Sequence, residues 1–233
     1  MLYLITGASR GIGFATAQLL AQDPTHTILV ASRNTEKLKQ LADSVNAEQG
    51  RRAVHYRSFD LAQDTAESLH EWVDGFGPLH GLINNAGLLI NKPFRELTRA
   101  DWQAMFAVNV FGVAEVIRAL LPSFAKQGAH ILNIGSMGGF QGSAKFPGLS
   151  AYSASKAALA SLTECLAEEL KEDKIAVNCL ALGAVQTEML ATAFPGFRAP
   201  LDSVQMGSFL AWFIQHGHTF FNGKVLPVSL STP

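Results

Sequence analysis

Short aliphatic runs alternate with longer amphipathic stretches along this 233-residue sequence, and that alternation limits the possible folds more than any other feature. Residues 2–6, 27–32, 53–58, 81–84, 130–135, 175–180 and 224–228 read as β-strands. Most are continuously apolar rather than alternating, as expected of strands covered on both faces. Between them, residues 13–21, 35–49, 65–76, 101–126, 151–171 and 203–215 carry helical periodicity. Repeated β-then-α order predicts an α/β fold: a Rossmann-like, doubly wound parallel sheet of about seven strands, with right-handed crossovers and helices on both faces. No Pro/Gly/Ser linker, low-complexity tract or fixed-period repeat interrupts it, so residues 1–233 are expected to form one domain.

Composition narrows the function classes. Apolar residues make up 48% and charged residues 16%, which suits a large core and argues against disorder. A formal net charge of −1 gives no electrostatic basis for binding nucleic acid or an anionic membrane. No run of 18 or more apolar residues occurs, so no bilayer-spanning helix is expected. The first residues lack the basic flank of a signal peptide. Cys165 and Cys179 both fall in apolar segments and read as buried free thiols of a reducing cytoplasm. Of the seven histidines only His216 and His218 are closely spaced, and no metal site is expected. Trp72, Trp102 and Trp212 lie in helical patterns and read as core.

Thr6-Gly7-Ala8-Ser9-Arg10-Gly11-Ile12-Gly13 follows the first strand and leads into a helix. Glycines there permit a tight turn and let backbone amides approach a pyrophosphate at the positive end of the helix. An ordinary glycine-rich turn would look similar. This one, however, is the first βα turn of an α/β chain, where a dinucleotide fold holds its phosphates.

The spacing Gly-x-x-x-Gly-x-Gly after Thr resembles the short-chain dehydrogenase/reductase family, and motifs in the family's order continue to about residue 228. Asn84-Asn85-Ala86-Gly87 follows the fourth strand, Asn109 lies in a helix, Ser136 ends the fifth strand, and Tyr152 precedes Lys156 by four. Gly183-x-Val185-x-Thr187 matches the nicotinamide-side loop. The resemblance implies an NADP(H)-dependent oxidoreductase acting on a ketone, diketone, quinone or 3-oxoacyl compound, or on the matching alcohol. Gly7, Ser9, Arg10, Gly11, Ile12, Gly13, Asp60, Leu61, Asn85, Ala86, Gly87, Gly183, Val185 and Thr187 would hold the cofactor, together with Tyr152 and Lys156. Asn109, Ser136, Tyr152 and Lys156 would be the catalytic set: Ser136 polarising the carbonyl, Tyr152 giving the proton, Asn109 holding a relay water to Lys156. A cytoplasmic homodimer or homotetramer is implied too, paired through the helices at 101–126 and after Tyr152, where small residues such as Ala154 and Ala158 permit close packing.

The residues carry part of this unaided. Four positions apart, Tyr152 and Lys156 share a helix face near a helix N-terminus, where a phenolate is favoured and an ammonium is not. On its own the pair reads as a packing tyrosine beside a snorkelling lysine; with the upstream motifs it reads as a proton-transfer pair whose lysine lowers the phenol's pKa. Asn109 falls in an apolar stripe with Met105, Val113, Val116 and Ile117, where an amide needs partners. Arg33 stands at the end of the second strand, where an NAD site usually has an acid; with Arg10 it suits a ribose 2′-phosphate.

Departures from the family pattern are Leu182 in place of proline, the tail Val228-Ser229-Leu230-Ser231, a short segment between Thr187 and Ser203, and a long loop between Ser136 and Tyr152. The loops at 137–150 and 184–202 are expected to border the substrate, with Phe140 and Phe146 as apolar covers. Retention of the four catalytic residues argues against a silent NADP(H)-binding sensor or scaffold. The absence of a larger C-terminal region argues against a nucleotide-sugar epimerase or dehydratase.

Overall fold

The computed structural model describes residues 1–230, so Ser231 of the C-terminal tail lies outside the described residues. Its strands in chain order are β1 (Leu2–Thr6), β2 (Thr27–Ser32), β3 (Val54–Ser58), β4 (Leu79–Asn84), β5 (Ala129–Ser136), β6 (Ile175–Leu182), β7 (Val185–Gln186), β8 (Leu201–Asp202) and β9 (Val225–Val228). Seven form one sheet in the order β3-β2-β1-β4-β5-β6-β9, with every pairing parallel. The helices are α1 (Gly11–Leu20), α2 (Thr35–Gln49), α3 (Ala66–Asp74), α4 (Arg99–Phe106), α5 (Gly112–Leu120), α6 (Ser150–Glu169), α7 (Glu188–Ala193) and α8 (Ser203–His216).

Successive strand side chains point to opposite faces, and each face meets its own helices. Ile5, Ile28 and Val30 pack with Leu20 of α1, Leu38 of α2 and Leu210 of α8. Leu4, Leu29 and Leu82 pack with Leu69 of α3, Val116 of α5 and Leu159 of α6. Both layers are apolar cores, which explains the unbroken apolar runs of the strands. Because β1 has β2 on one side and β4 on the other, the chain order reverses between them. The carboxyl ends of β1 and β4 open there into a crevice, the place where doubly wound sheets bind ligands.

Several expectations are corrected. The helical pattern at 101–126 is not one helix. It begins at Arg99, where Thr98 and Asp101 form a reciprocal cap, and a π-helical turn, Ala107–Phe111, separates α4 from α5. That turn carries Asn109, whose amide is committed to partners outside the helix. By length and composition the stretch Arg99–Ser123 could cross a bilayer, which counting uninterrupted apolar residues does not register. Its Val113, Val116, Ile117 and Leu120 are instead spent on the core. Cys179 is buried but Cys165 is exposed, because it lies on the outward face of α6 beside Glu164. Trp212 is 47% exposed and stacks on His216 rather than entering the core. The segment after Thr187 is structured: Thr187 Oγ1 caps α7, and β7 pairs with β8. Leu182 continues β6, pairing with Ser136 and Val228, so the strand runs two residues past the expected end.

Candidate active site

A cleft of about 880 Å³ runs over the carboxyl ends of the central strands. One wall is the first βα turn. Gly7 holds φ 69° there, and a Cβ on it would lie 2.6 Å from Ala86 Cα, so the turn and the strand-four loop touch backbone to backbone. Asn85 Nδ2 ties the two loops by donating to the Thr6 and Gly7 carbonyls at 3.1 and 3.0 Å. Arg10 is the N-cap of α1 but supplies no side-chain cap, which leaves first-turn amides free to receive an anion.

Charge is segregated along the cleft. Arg10, Arg33 and Lys37 line the end beside β2 and α2. Ser32 lines the same end, and its Oγ is, with Asn84 Oδ1, a buried side-chain atom with no hydrogen-bond partner among the described residues. Asn34 caps α2 by accepting from Lys37 N at 3.0 Å, which sets Lys37 in the first helical turn facing this corner. Glu188 at the start of α7 pairs with Arg10 and lies 3.6 Å from Lys37 Nζ; the Arg10 guanidinium holds the Glu188 carboxyl below its usual range. An orphaned hydroxyl, a free helix terminus and three cations fit a dinucleotide with a phosphate on its ribose.

At the other end β5 and α6 converge. Ser136 ends β5, and its Oγ accepts from Gly138 N at 3.2 Å. Tyr152 and Lys156 lie on the inward face of α6, both buried. Lys156 Nζ donates to the Ile134 carbonyl at 2.8 Å and lies 5.9 Å from the Tyr152 ring centroid. The phenol differs from expectation: burial pushes its pKa up to about 12, with a hydrogen bond to Ser136 pulling the other way. Lys156 therefore does not dominate the phenol in this state; burial brings its own pKa down to about 8, opposed by Cys179.

All the expected cofactor and catalytic residues border the cleft except two. Gly13 is buried within α1 beneath Asn85. Asn109 is fully buried behind the cleft wall. Its Oδ1 accepts from Leu88 N at 2.8 Å, and its Nδ2 donates to Leu88 O and Ser155 Oγ, both at 2.9 Å. Ser155 in turn donates to the Tyr152 carbonyl at 2.7 Å, so Asn109 links the strand-four loop to the tyrosine's turn of helix. Of the two expected covers, Phe146 borders the cleft and Phe140 does not. Not expected from the sequence are Ser32, Lys37, Glu188 and Met189 on the cleft wall, and the apolar Leu88, Leu149 and Phe194 that cluster with Tyr152. Lys37 had a signal in the Asn34 cap; Glu188, 178 positions from Arg10, had none. Among the described residues no three His, Cys, Asp or Glu side chains gather to hold a metal.

The short chain dehydrogenase family model matches residues 2–196. An uncharacterized oxidoreductase of Escherichia coli K12, YciK, is 36% identical over 82% of this chain and 76% of its own. Two solved short-chain dehydrogenases superpose closely. One from Shigella flexneri, complexed with NADP, has a TM-score of 0.88 and 29% identity, covering 97% of this chain and 95% of its own. One from Escherichia coli CFT073, complexed with NADPH, has a TM-score of 0.85 and 30% identity over the same shares. This chain belongs to the short-chain dehydrogenase/reductase family of oxidoreductases.

Proposed function

We propose that the chain is an NADP(H)-dependent oxidoreductase for a small, uncharged, largely apolar carbonyl compound or the matching alcohol. The observation that carries this is the division of the cleft into a cationic end and an apolar end that holds Ser136, Tyr152 and Lys156. The bound complexes of the two bacterial relatives support the choice of cofactor. Arg10, Arg33, Lys37 and Ser32 would take a 2′-phosphate, the first turn of α1 the pyrophosphate, and Asn85 to Gly87 with Gly183 to Thr187 the nicotinamide side. When bound, the nicotinamide supplies hydride chemistry.

The chain's own residues supply the proton. With its pKa near 12 the Tyr152 phenol is protonated at neutral pH, the state needed to give a proton to a developing alkoxide. Ser136 would donate to the same oxygen and polarise it. Lys156 at about 8 remains mostly charged at neutral pH and favours the phenolate left behind. A Cβ on Gly87 would lie 3.4 Å from Asn109 Oδ1 and 3.5 Å from Lys156 Nζ, so this glycine stands against both groups of the expected relay. Among the described residues lining the cleft Lys156 is the cation at the apolar end, which favours an uncharged substrate over a carboxylate or phosphate.

Half-exposed small residues of α6, including Ala154 and Ala158, and the 57% exposed Phe111 favour pairing of this face in a homodimer or homotetramer. The test is an NADPH-consumption screen over ketones, diketones, quinones and acyl thioesters, repeated with Arg33→Asp. Loss of a charged hydrogen bond predicts a roughly 10–150-fold fall in NADPH efficiency with NADH maintained. A wild type that uses NADH as well as NADPH would overturn the assignment.

A further inference from the structure

α7 lies along the cleft as a strap tied at both ends. At its start the Glu188 carboxylate takes Arg10 on one oxygen and faces Lys37 with the other, at 3.6 Å. At its end Asn91 Nδ2 donates to the Ala193 carbonyl at 2.7 Å. Met189 and Leu190 between the ties, and Phe194 just beyond the second, line the cleft. The two cations come from separate segments, the loop before α1 and the first turn of α2, and Glu188 joins them across a corner that also holds Arg33 and the unpartnered Ser32 hydroxyl. An anion of the chain thus stands on the cations that the cofactor reading gives to an anion of the ligand.

We propose that Glu188 is a specificity-determining residue that competes internally with the ribose 2′-phosphate. A nucleotide bearing that phosphate displaces Glu188 from Arg10 and Lys37 and frees the start of α7, whereas one lacking it leaves the strap tied. This inference rests on the NADP(H) reading above. A phosphate carries about −1.5 to −2 charge and three acceptor oxygens against one charge for the carboxylate, so the exchange favours the ligand. Arg10 and Glu188 are each more than half exposed, and pairs of that kind are individually weak enough to be exchanged. The Asn91 tie does not involve the phosphate corner and remains through the exchange.

The test uses adenosine 2′,5′-bisphosphate and 5′-AMP, which carry no nicotinamide and need no turnover. Calorimetry on the wild type and Glu188→Gln at low salt should show 2′,5′-bisphosphate binding tightened about three- to tenfold by the substitution, with 5′-AMP unchanged. The gain should shrink as salt rises. Amide exchange over residues 188–193 should quicken when the bisphosphate binds the wild type and be fast already in Glu188→Gln. If the wild type prefers the bisphosphate but Glu188→Gln binds it equally or more weakly, the competition is overturned and the cofactor reading stands. A wild type that binds both nucleotides equally overturns both.

Discussion

Among the described residues Lys156 is the one Lys, Arg, Asp or Glu side chain that is buried, and removing its amine has a consequence for stability that can be worked out in advance. Burial lowers its pKa from 10.5 to about 8, with Cys179 opposing. At about 1.4 kcal/mol per pH unit this corresponds to about 3 kcal/mol by which folding disfavours the charged amine. The folded value lies below the unfolded one, so the contribution is fully favourable above pH 10.5 and is lost as pH falls through 8. Urea unfolding of the wild type and Lys156→Met, followed from pH 10.5 down to 8, should therefore diverge by about 3 kcal/mol, the wild type losing stability relative to the variant. The variant also leaves the Ile134 carbonyl without its donor, which costs about 1–3 kcal/mol. That cost does not vary with pH, so it shifts one curve vertically and leaves the divergence intact. Comparison with the variant cancels the tyrosines and other lysines that titrate in the same range. Parallel curves would refute the claim that this ammonium is held in a desolvated site against its preference.

Two further outcomes follow from individual side chains. Phe146 borders the cleft and packs with the Leu149 cluster, so Phe146→Ala should raise KM several-fold at the cost of less than the about 3–5 kcal/mol of a full core truncation; Phe140→Ala should leave KM unchanged. A melting loss of core size with unchanged KM would remove Phe146 from the substrate wall. His130 is fixed as a neutral ring, since Nδ1 must donate to the Ile214 carbonyl while Nε2 accepts from Asn178 Nδ2, and burial lowers its pKa to about 4. Its folded value is also depressed, so stability is present above pH 6.5 and falls by about 3 kcal/mol toward pH 4. That acid limb should be missing from the urea midpoints of His130→Gln.

What the sequence made legible follows from how local the cause is. β2 matches its expected bounds of residues 27–32, because a strand buried on both faces has no alternative to a continuous apolar run. Most of the expected cleft residues were accessible because they lie in a loop that leaves a strand or in the first turns of a helix, and turn chemistry marks those places. The break at Ala107–Phe111 was not: the apolar stripe continues through it, and the deviation arises from Asn109 reaching the Leu88 backbone 21 positions away. Cys165 and Trp212 show the limit of composition, since an apolar residue in a helix can face solvent as readily as core. The raised pKa of Tyr152 could not be read from an i, i+4 spacing, because burial outweighs the Ser136 hydrogen bond and burial is tertiary. Glu188 depends on two segments folding against α7, and only the assembled cleft brings them together.

Tyr152 is the proposed donor of the proton to the reacting oxygen at the apolar end of the cleft. Tyr152→Phe removes only the hydroxyl from a buried ring. On the best carbonyl substrate from the NADPH screen, NADPH affinity should stay within about twofold of wild type and turnover should fall by roughly 10²-fold or more, the scale of a positioned general acid. Wild-type turnover in Tyr152→Phe, with NADPH still bound, would contradict it.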